Sequence, residues 1–335
     1  VNNFNKPAKE NLIVYELLVR DFTTQKTWQS LIDKIPYLKS LKINAVELMP
    51  VMEFDGNNSW GYNTGFHYAL DKAYGTPEKF KEFIDLCHQN GIAVILDIAL
   101  NHATGRSPIE RMWMVDPDGD GFGDPAADNP YFNQVARHSY SVFNDFNHSK
   151  AETKYYVDRV IEHWIKEYKV DGFRWDLTKG FTQNCTAGDD ACTNAYQQDR
   201  VNILRGYADK QWSYDPTSYI IFEHLGTDSE EGQWANYRVG EGKGVMMWDK
   251  HTNAYNQNTM GFAASSNFNR VDFEAHGFSE RRAMSYGESH DEERIMYKNI
   301  NFGASTAGYD TRDLNNALQR QKAYGAVFLT VPGPK

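Results

Sequence analysis

The sequence predicts an α/β protein, a (β/α)8 TIM barrel with a small subdomain inserted after strand 3. Short apolar runs alternate with helical stretches along nearly all of the 335 residues, which is typical of a parallel sheet covered by helices. Seven such units favour a barrel over an open doubly wound sheet, and no GxGxxG of a dinucleotide-binding fold follows the first strand. Nearly fifty residues rich in Asp, Asn, Pro and Gly separate the third strand from the next long helix, which indicates a functional loop or a subdomain.

The elements follow from the periodicity of the chain. Strands are predicted at the apolar runs 13–19, 45–49, 92–97, 170–176, 218–223, 244–248 and 283–286. The third of these is apolar almost throughout, as expected for a strand covered on both faces. Helices are predicted over 28–41, 77–90, 151–168 and 313–331. The domain division is therefore 1–101 for the first part of the barrel, 102–150 for the insertion, and 151–335 for the remainder, ending before strand 8.

Composition excludes several classes of protein. The 35 basic and 45 acidic residues give a net charge of −10, which argues against a nucleic-acid partner because such a partner needs a basic face. No apolar run approaches the roughly 18 residues of a membrane span. Residues 1–4 lack the basic start and apolar core of a signal peptide, and we expect a mature or trimmed end there.

Cysteine usage gives an expectation about the compartment. Cys185 and Cys192 flank a short Gly/Asp-rich loop, so the two thiols either form a disulfide or stay free at the surface. A disulfide would indicate an oxidising compartment, and we expect a secreted or periplasmic protein. Cys87 is predicted to be a buried helical thiol without chemistry.

Polar residues lie where the predicted strands end. Asp97 ends the third strand, Arg174 and Asp176 the fourth, and Glu223 the fifth. In barrels of this type the active residues come from the carboxyl ends of the strands. Buried carboxylates without partners are costly, so several in register indicate a site rather than packing.

Two carboxyl groups in unlike environments are required for glycoside hydrolysis, one ionised and one protonated. Arg174 precedes Asp176 by two residues and so shares its strand face, and we expect the arginine to keep Asp176 ionised as a nucleophile. Glu223 follows four apolar residues, which should raise its pKa and suit it to proton donation. Asp291, after the seventh strand, would be a third carboxylate that stabilises the positive charge developing on the sugar.

These residues resemble the motifs of glycoside hydrolase family 13, the α-amylase family. The four conserved regions of the family are matched by Asp-Ile-Ala-Leu-Asn-His at 97–102, Gly-Phe-Arg-Trp-Asp at 172–176, Glu223, and Ser-His-Asp at 289–291. The resemblance implies a retaining mechanism with Asp176 as nucleophile, Glu223 as acid/base and Asp291 as transition-state stabiliser.

The resemblance also assigns substrate contacts on an α-glucan. It implies that His102, Arg174 and His290 hold the sugar in the central subsite, that Tyr62 stacks on it, and that Lys179 lies in a leaving-group subsite. The favoured activity is hydrolysis of internal α-1,4 bonds of starch-like glucans, that of an α-amylase. A 4-α-glucanotransferase or glucan branching enzyme with the same residues is an alternative, because the run from Ser289 to Glu292 is similar to that of branching enzymes. A non-catalytic starch-binding relative is disfavoured by the intact carboxylate set.

The resemblance extends to the last residues of the chain. In the family, a Pro-Gly-x-Pro turn similar to the run at 332–335 leads into the eighth strand and then a β-sandwich domain. We therefore expect the missing strand and sandwich domain to belong to the same polypeptide.

A calcium site is predicted in the insertion. Oxygen ligands alternate with other residues in the run Asp-Pro-Asp-Gly-Asp-Gly-Phe-Gly-Asp, which matches the front half of a calcium loop. The predicted ligands are Asp116, Asp118 and Asp120, with Asp124 or Asp128 completing the shell. The alternative is a solvated acidic turn. Gly180 replaces a histidine that helps bind the usual calcium of the family, which argues against that other site, although Asn101 is retained.

Overall fold

The computed structural model describes residues 4–335. Residues 1–3, most of the predicted trimmed end, lie outside that range. Within it, the main sheet has seven strands, all parallel and in chain order. They are β1 (Val14–Leu17), β2 (Ala45–Leu48), β3 (Ala93–Ile98), β4 (Gly172–Trp175), β5 (Tyr219–Phe222), β6 (Met246–Lys250) and β7 (Ala283–Tyr286). The predicted fold class is confirmed as a curled, incomplete barrel.

The curl brings the two edge strands close to each other. The amide of Val14 donates to the carbonyl of Lys335 at 2.7 Å, and the amide of Ser285 donates to the carbonyl of Pro334 at 3.2 Å. Residues 334–335 therefore bond to the β1 edge and the β7 edge at once. They occupy the position that an eighth strand takes in a closed barrel.

Helices cover the outside of the sheet between successive strands. They are α1 (Val19–Phe22), α2 (Trp28–Ile32), α3 (Ile35–Ser40), α4 (Pro77–Gln89), α5 (Pro108–Arg111), α6 (Ala151–His163), α7 (Asp190–Asn194), α8 (Gln198–Tyr214), α9 (Asp228–Ala235), α10 (Thr252–Met260), α11 (Ile295–Phe302) and α12 (Leu314–Phe328). None of the helices between residues 4 and 335 is long and apolar enough to cross a membrane.

Two predicted helices differ from the structure. The single helix expected over 28–41 is two helices, α2 and α3, because Pro36 lies in the first turn of α3 and proline has no N–H with which to continue a helix. The helix expected over 151–168 ends as α6 at His163 and continues as one π-turn, Trp164–Tyr168. The predicted helix over 77–90 is correct: Thr76 caps its start and Pro77 occupies its first turn.

Alternate side chains of each strand point to opposite faces of the sheet, so they form two cores, one against the helices and one inside the barrel. Outward residues of β2, β3 and β4 such as Val46, Leu96 and Phe173 pack against the helices. Inward residues of neighbouring strands, among them Ala45 and Ile95, fill the barrel interior. Because side chains alternate with a period of two, polar residues at inward positions near the strand ends face the open end of the barrel.

The insertion at 102–150 is tied together by short pairings. His102–Ala103 pairs with Asn144–Asp145, and Met114–Val115 pairs with Asp124–Pro125. A further hairpin, Met52–Phe54 with Thr64–Leu70, lies before α4. Ser305–Thr306 pairs with Tyr309–Asp310 before α12.

Candidate active site

A buried arginine lies at the centre of the site. Arg174 is inward on β4, where its register partner on β3 is Asp97. Its Nη1 donates to both carboxylate oxygens of Asp97, at 2.9 and 3.0 Å, and to Asp176 Oδ1 at 2.7 Å. Its Nη2 lies 3.1 Å from Glu223 Oε2. One guanidinium therefore contacts all three carboxylates that the sequence places at the ends of β3, β4 and β5.

Neighbouring strands set the positions of the two reacting carboxylates. The amide of Asp176 donates to the carbonyl of Ile98, and that of Glu223 donates to the carbonyl of Trp175, both at 3.1 Å, so each residue extends the ladder one step beyond its strand. Leu177 then takes a left-handed conformation with φ +47°, and its amide donates to Glu223 Oε2 at 2.8 Å. Backbone of this kind in a non-glycine residue costs free energy and is found mainly at functional sites.

Burial raises the pKa of both carboxyl groups. Desolvation raises the pKa of Glu223 to about 7, against the opposing effect of Arg174. This agrees with the raised pKa predicted from the apolar strand before it. Desolvation likewise raises the pKa of Asp176 to about 6, with Arg174 opposing it and Asp97 adding to it. Arg174 does favour the ionised form of Asp176, as expected, but desolvation outweighs its effect on the pKa.

The two groups still differ in their hydrogen bonds. Asp176 accepts a charge-assisted hydrogen bond from Arg174 at 2.7 Å, whereas Glu223 accepts its hydrogen bond from a neutral backbone amide. Charge-assisted hydrogen bonds favour the ionised form more strongly. A single proton shared between the pair therefore resides on Glu223, which is the protonation state that a nucleophile and an acid require.

A second network approaches from the other side of the barrel. The hydroxyl of Tyr62 donates to Asp97 Oδ2 at 2.6 Å and lies 2.9 Å from His290 Nε2. The two rings stack at a centroid distance of 5.2 Å. His290 Nδ1 lies 2.6 Å from Glu16 Oε1. Burial opposes a charge on His290, but the hydrogen bond and negative charge of Glu16, together with Asp97, raise its pKa to about 9.

The remaining predicted residues surround this centre. Asp291 is half exposed, and its Oδ1 lies 3.4 Å from His290 Nε2. His102 is buried and its Nε2 faces the carbonyl of Tyr62 at 2.7 Å; burial lowers its pKa to about 4. Lys179 Nζ donates to Asn194 Oδ1 of α7 at 2.7 Å and lies over the ring of Tyr140 in the insertion.

Three contributors to the site were not predicted from the sequence. Glu16 on β1 and Glu47 on β2 are register partners, and Glu47 is buried, so that its pKa is raised well above the usual range. The signal was present, since each is a charged residue within an apolar strand, as Asp97 is. Trp248 on β6 lies under the Arg174 guanidinium at 4.1 Å; it could not be distinguished from an ordinary core residue.

The predicted calcium ligands are partly brought together. Carboxylate oxygens of Asp116, Asp118 and Asp120 lie within 4.8 Å of one another. Asp124 and Asp128 fall outside that group, and Asp124 belongs to the strand pair with Val115.

The space beside Gly180 is closely packed. Asn101 Oδ1 lies so close to Gly180 that a Cβ there would clash, and His138 also lies against this glycine. The His138 imidazole pairs with Asp145 at 3.1 Å. A histidine at position 180 would therefore not fit.

Comparison with known proteins agrees with this geometry. A model of the α-amylase catalytic domain matches residues 19–113. Over 366 aligned residues the chain is 26% identical to α-amylase 3 of Dictyoglomus thermophilum, covering 99% of this chain and 64% of that protein. The chain is therefore similar to the α-amylase family, by the family model over residues 19–113 and by one relative over nearly its whole length. It is also 33% identical over 183 residues to a malto-oligosyltrehalose trehalohydrolase of Saccharolobus solfataricus, covering 54% of this chain and 30% of that protein.

Solved structures of α-amylase family members share the fold. Amy13B of Eubacterium rectale superposes with a TM-score of 0.71 at 19% identity, covering 99% of this chain and 66% of that one. An Anoxybacillus α-amylase superposes with a TM-score of 0.69 at 17% identity, covering 98% of this chain and 70% of that one. The chain thus spans about a third of the length of the trehalohydrolase and about two thirds of the length of α-amylase 3.

Proposed function

We propose that this chain carries the catalytic site of an endo-acting α-1,4-glucan hydrolase that retains anomeric configuration. The observation that carries the proposal is the arginine-centred cluster in which Arg174 contacts both Asp176 and Glu223. Similarity to an α-amylase over 99% of this chain and 64% of that protein supports the substrate class. The acidic chain and the exposed rings around the cleft, such as Trp60, are compatible with a neutral polysaccharide.

In the first step Asp176 attacks the anomeric carbon while Glu223 transfers its proton to the leaving glycosidic oxygen. Bond formation to Asp176 accompanies cleavage of the carbon–oxygen bond, and the leaving glucan departs as an alcohol. Glu223 is then ionised. Asp176 loses its negative charge when it forms the ester. Arg174 can then stabilise the ionised form of Glu223.

In the second step Glu223 takes a proton from water, which attacks the same anomeric carbon and releases Asp176. Two inversions give net retention, and both carboxyl groups return to their starting protonation states. A retaining pair needs carboxyl groups about 5–5.5 Å apart. Asp291, open to solvent beside His290, is proposed to stabilise the oxocarbenium-like charge.

The substrate contacts are proposed for residues at the rim of this cluster. The charged His290 would donate a hydrogen bond to a sugar hydroxyl, and Tyr62 offers a ring face fixed by Asp97. Lys179, aligned by Asn194 and lying over the Tyr140 ring at 5.5 Å, is placed to contact a leaving-group sugar. Arg174 and His102 are too buried for extensive contact and are proposed to act mainly through their neighbours.

A second candidate is favoured by the partial-length relatives. The trehalohydrolase that is 33% identical over about half of this chain is named for hydrolysis of malto-oligosyltrehalose, and the same residues could act on that substrate. Transglycosylation, as in glucanotransferases and branching enzymes, needs only that a sugar hydroxyl replace water in the second step.

One assay separates these activities. The enzyme is incubated in parallel with amylose and with malto-oligosyltrehalose, and products are resolved by chromatography. We expect new reducing ends from amylose; free trehalose from the second substrate alone would favour the trehalohydrolase, and branches without new reducing ends would favour transfer. D176N and E223Q should each lose at least about 10³-fold in kcat, while the exposed-site control D33N should not. More than a tenth of activity in either active-site variant would contradict the assignment.

We also propose a structural calcium ion at Asp116, Asp118 and Asp120. Their oxygens converge, and the amides of Gly119 and Gly121 donate to Asp116 and so hold its carboxylate in place. A bound ion would offset most of the negative charge of these three aspartates and restrain the turn. Calcium titration followed by calorimetry should give one site in the wild type and none in D118N; equal binding by both proteins would rule the site out.

A secreted or periplasmic location is proposed on a separate observation. Cys185 and Cys192 form a disulfide, which agrees with the first of the two predicted possibilities. Such bonds persist mainly in oxidising compartments. Fractionation of the native host with detection of the protein would test this directly.

A further inference from the structure

A cluster of histidines and carboxylates that the proposed reaction does not use lies between the loops that follow β5 and β6. Asp249, near the end of β6, and His251, directly after it, come from one loop; His276 comes from the short helical turn Phe273–His276. Asp228 and Glu231 come from α9, which begins five residues after Glu223. The side chains of Asp249, His251 and His276 are each 10% exposed or less.

The ligand atoms of this cluster converge. Asp249 Oδ2 lies 2.7 Å from His251 Nε2, and Asp249 Oδ1 lies 3.3 Å from His276 Nε2. All three residues can offer atoms that lie within 4.8 Å of one another. The two imidazoles thus present their Nε2 atoms to the two oxygens of one carboxylate.

The other ring nitrogen of His276 has two neighbours. His276 Nδ1 lies 3.0 Å from Asp228 Oδ1 and 3.0 Å from Arg270 Nη2, which itself pairs with Asp228. A carboxylate that accepts from one nitrogen fixes the tautomer and leaves the other nitrogen available, which is the usual outer-shell arrangement of a metal-binding histidine. The carbonyl of Arg270 lies 2.8 Å from His276 Nε2; it accepts the N–H when no ion is bound and can serve as a further oxygen ligand when one is.

The net charge of the cluster also favours a bound cation. Asp228, Glu231 and Asp249 supply three carboxylates, and Arg270 supplies one guanidinium, paired with Asp228 at 2.6 Å. With both imidazoles neutral, as metal ligation requires, the formal charge is −2. A divalent cation would neutralise it, and two imidazoles with one carboxylate are a ligand set that suits zinc.

We propose that Asp249, His251 and His276 form a binding site for a divalent transition metal of the zinc type, with Asp228 as the outer-shell partner of His276. All three ligands come from the segment between the start of β6 and β7, and the contact of His276 with Asp228 links this segment to α9. Metal binding would therefore restrain mainly the segment that precedes β7.

The test uses the full chain after chelator dialysis, titrated with Zn²⁺ alone against a chromophoric competitor. We expect one saturable site in the wild type, loss of that site in H251Q and in H276Q, and about 10- to 100-fold weaker binding in D228N. H163Q, a half-buried histidine of α6, is the matched control, and D118N controls for binding at the acidic turn of the insertion. Both controls should bind as the wild type does.

A second measurement keeps the proposal falsifiable if a histidine variant fails to fold. Co²⁺ added to the chelator-treated wild type should give the visible ligand-field bands of a nitrogen-coordinated ion, and Zn²⁺ should remove them. Absence of saturable zinc uptake, or undiminished uptake in folded H251Q and H276Q, would overturn the proposal. Cobalt bands lost in D118N but not in H251Q would overturn it as well.

Discussion

Replacing Glu223 with glutamine should stabilise the protein at alkaline pH while abolishing its activity. In the native state, burial raises the pKa of this carboxyl from 4.5 to about 7. The side chain is only 15% exposed, so solvent screening is small. The pKa change corresponds to about 3 kcal/mol. Since 335 residues imply an unfolding entropy of about 0.7 kcal/mol/K, this is a melting-temperature difference of about 4 °C.

The direction in which stability changes with pH follows from the number of protons that the native and unfolded states bind. Below pH 4.5 both native and unfolded chains carry the proton, and the carboxyl makes no pH-dependent difference. Between pH 4.5 and about 7 the native state binds the proton more than the unfolded state does, so wild-type stability falls as pH rises. E223Q has no proton to lose there, and its advantage should grow across this window and then remain constant.

The assay is calorimetry of wild type and E223Q at about pH 5 and about pH 8.5. Comparing the two pH values cancels changes that glutamine makes in local hydrogen bonds, because those are present at both. E280Q, which removes an exposed carboxylate, is the control and should show no such difference. An E223Q advantage that is the same at both pH values would refute the claim that Glu223 is a desolvated acid.

Three further predictions concern activity, a histidine pKa and stability. The pH profile of kcat/KM should be bell-shaped, falling below about pH 6 as Asp176 takes up a proton and above about pH 7 as Glu223 loses its own; a profile flat from pH 5 to 9 would contradict this. In E16Q the pKa of His290 should fall from about 9, because the anion that favours its charge is removed; NMR titration of the ring protons measures this, and an unchanged pKa would mean that Glu16 is not its main partner. Y62F should lose about 1.5–3 kcal/mol of stability with the hydrogen bond to a charged group, measured by urea unfolding, and a loss below 0.5 kcal/mol would show that the bond is not formed.

Much of the site could be predicted because strand ends lie at one edge of a parallel sheet. Asp97 and Glu223 each follow an apolar run, and the register of β3, β4 and β5 brings them together with Arg174. The break before α3 was missed although its signal, Pro36, is in the sequence, since proline has no N–H with which to continue a helix.

Other features depend on distances that no local pattern contains. The raised pKa of Asp176 arises from burial, with the nearby Asp97 adding to it against Arg174, and these surroundings exist only when the barrel forms. The position of Trp248 against that guanidinium has the same origin. Glu16 and Glu47 could have been predicted as site residues because each is a charged residue in an apolar strand, but no recognisable motif flanks either strand.

The stereochemistry of the first product tests the central claim most directly. Proton NMR recorded within the first minutes of hydrolysis of a short α-1,4-glucan resolves the anomeric signals before mutarotation mixes them. We expect the new reducing end to form as the α-anomer, and both activity and this signal to disappear in D176N. Initial formation of the β-anomer would contradict it, because Asp176 and Glu223 would then act on water across a wider gap rather than through a covalent glycosyl intermediate.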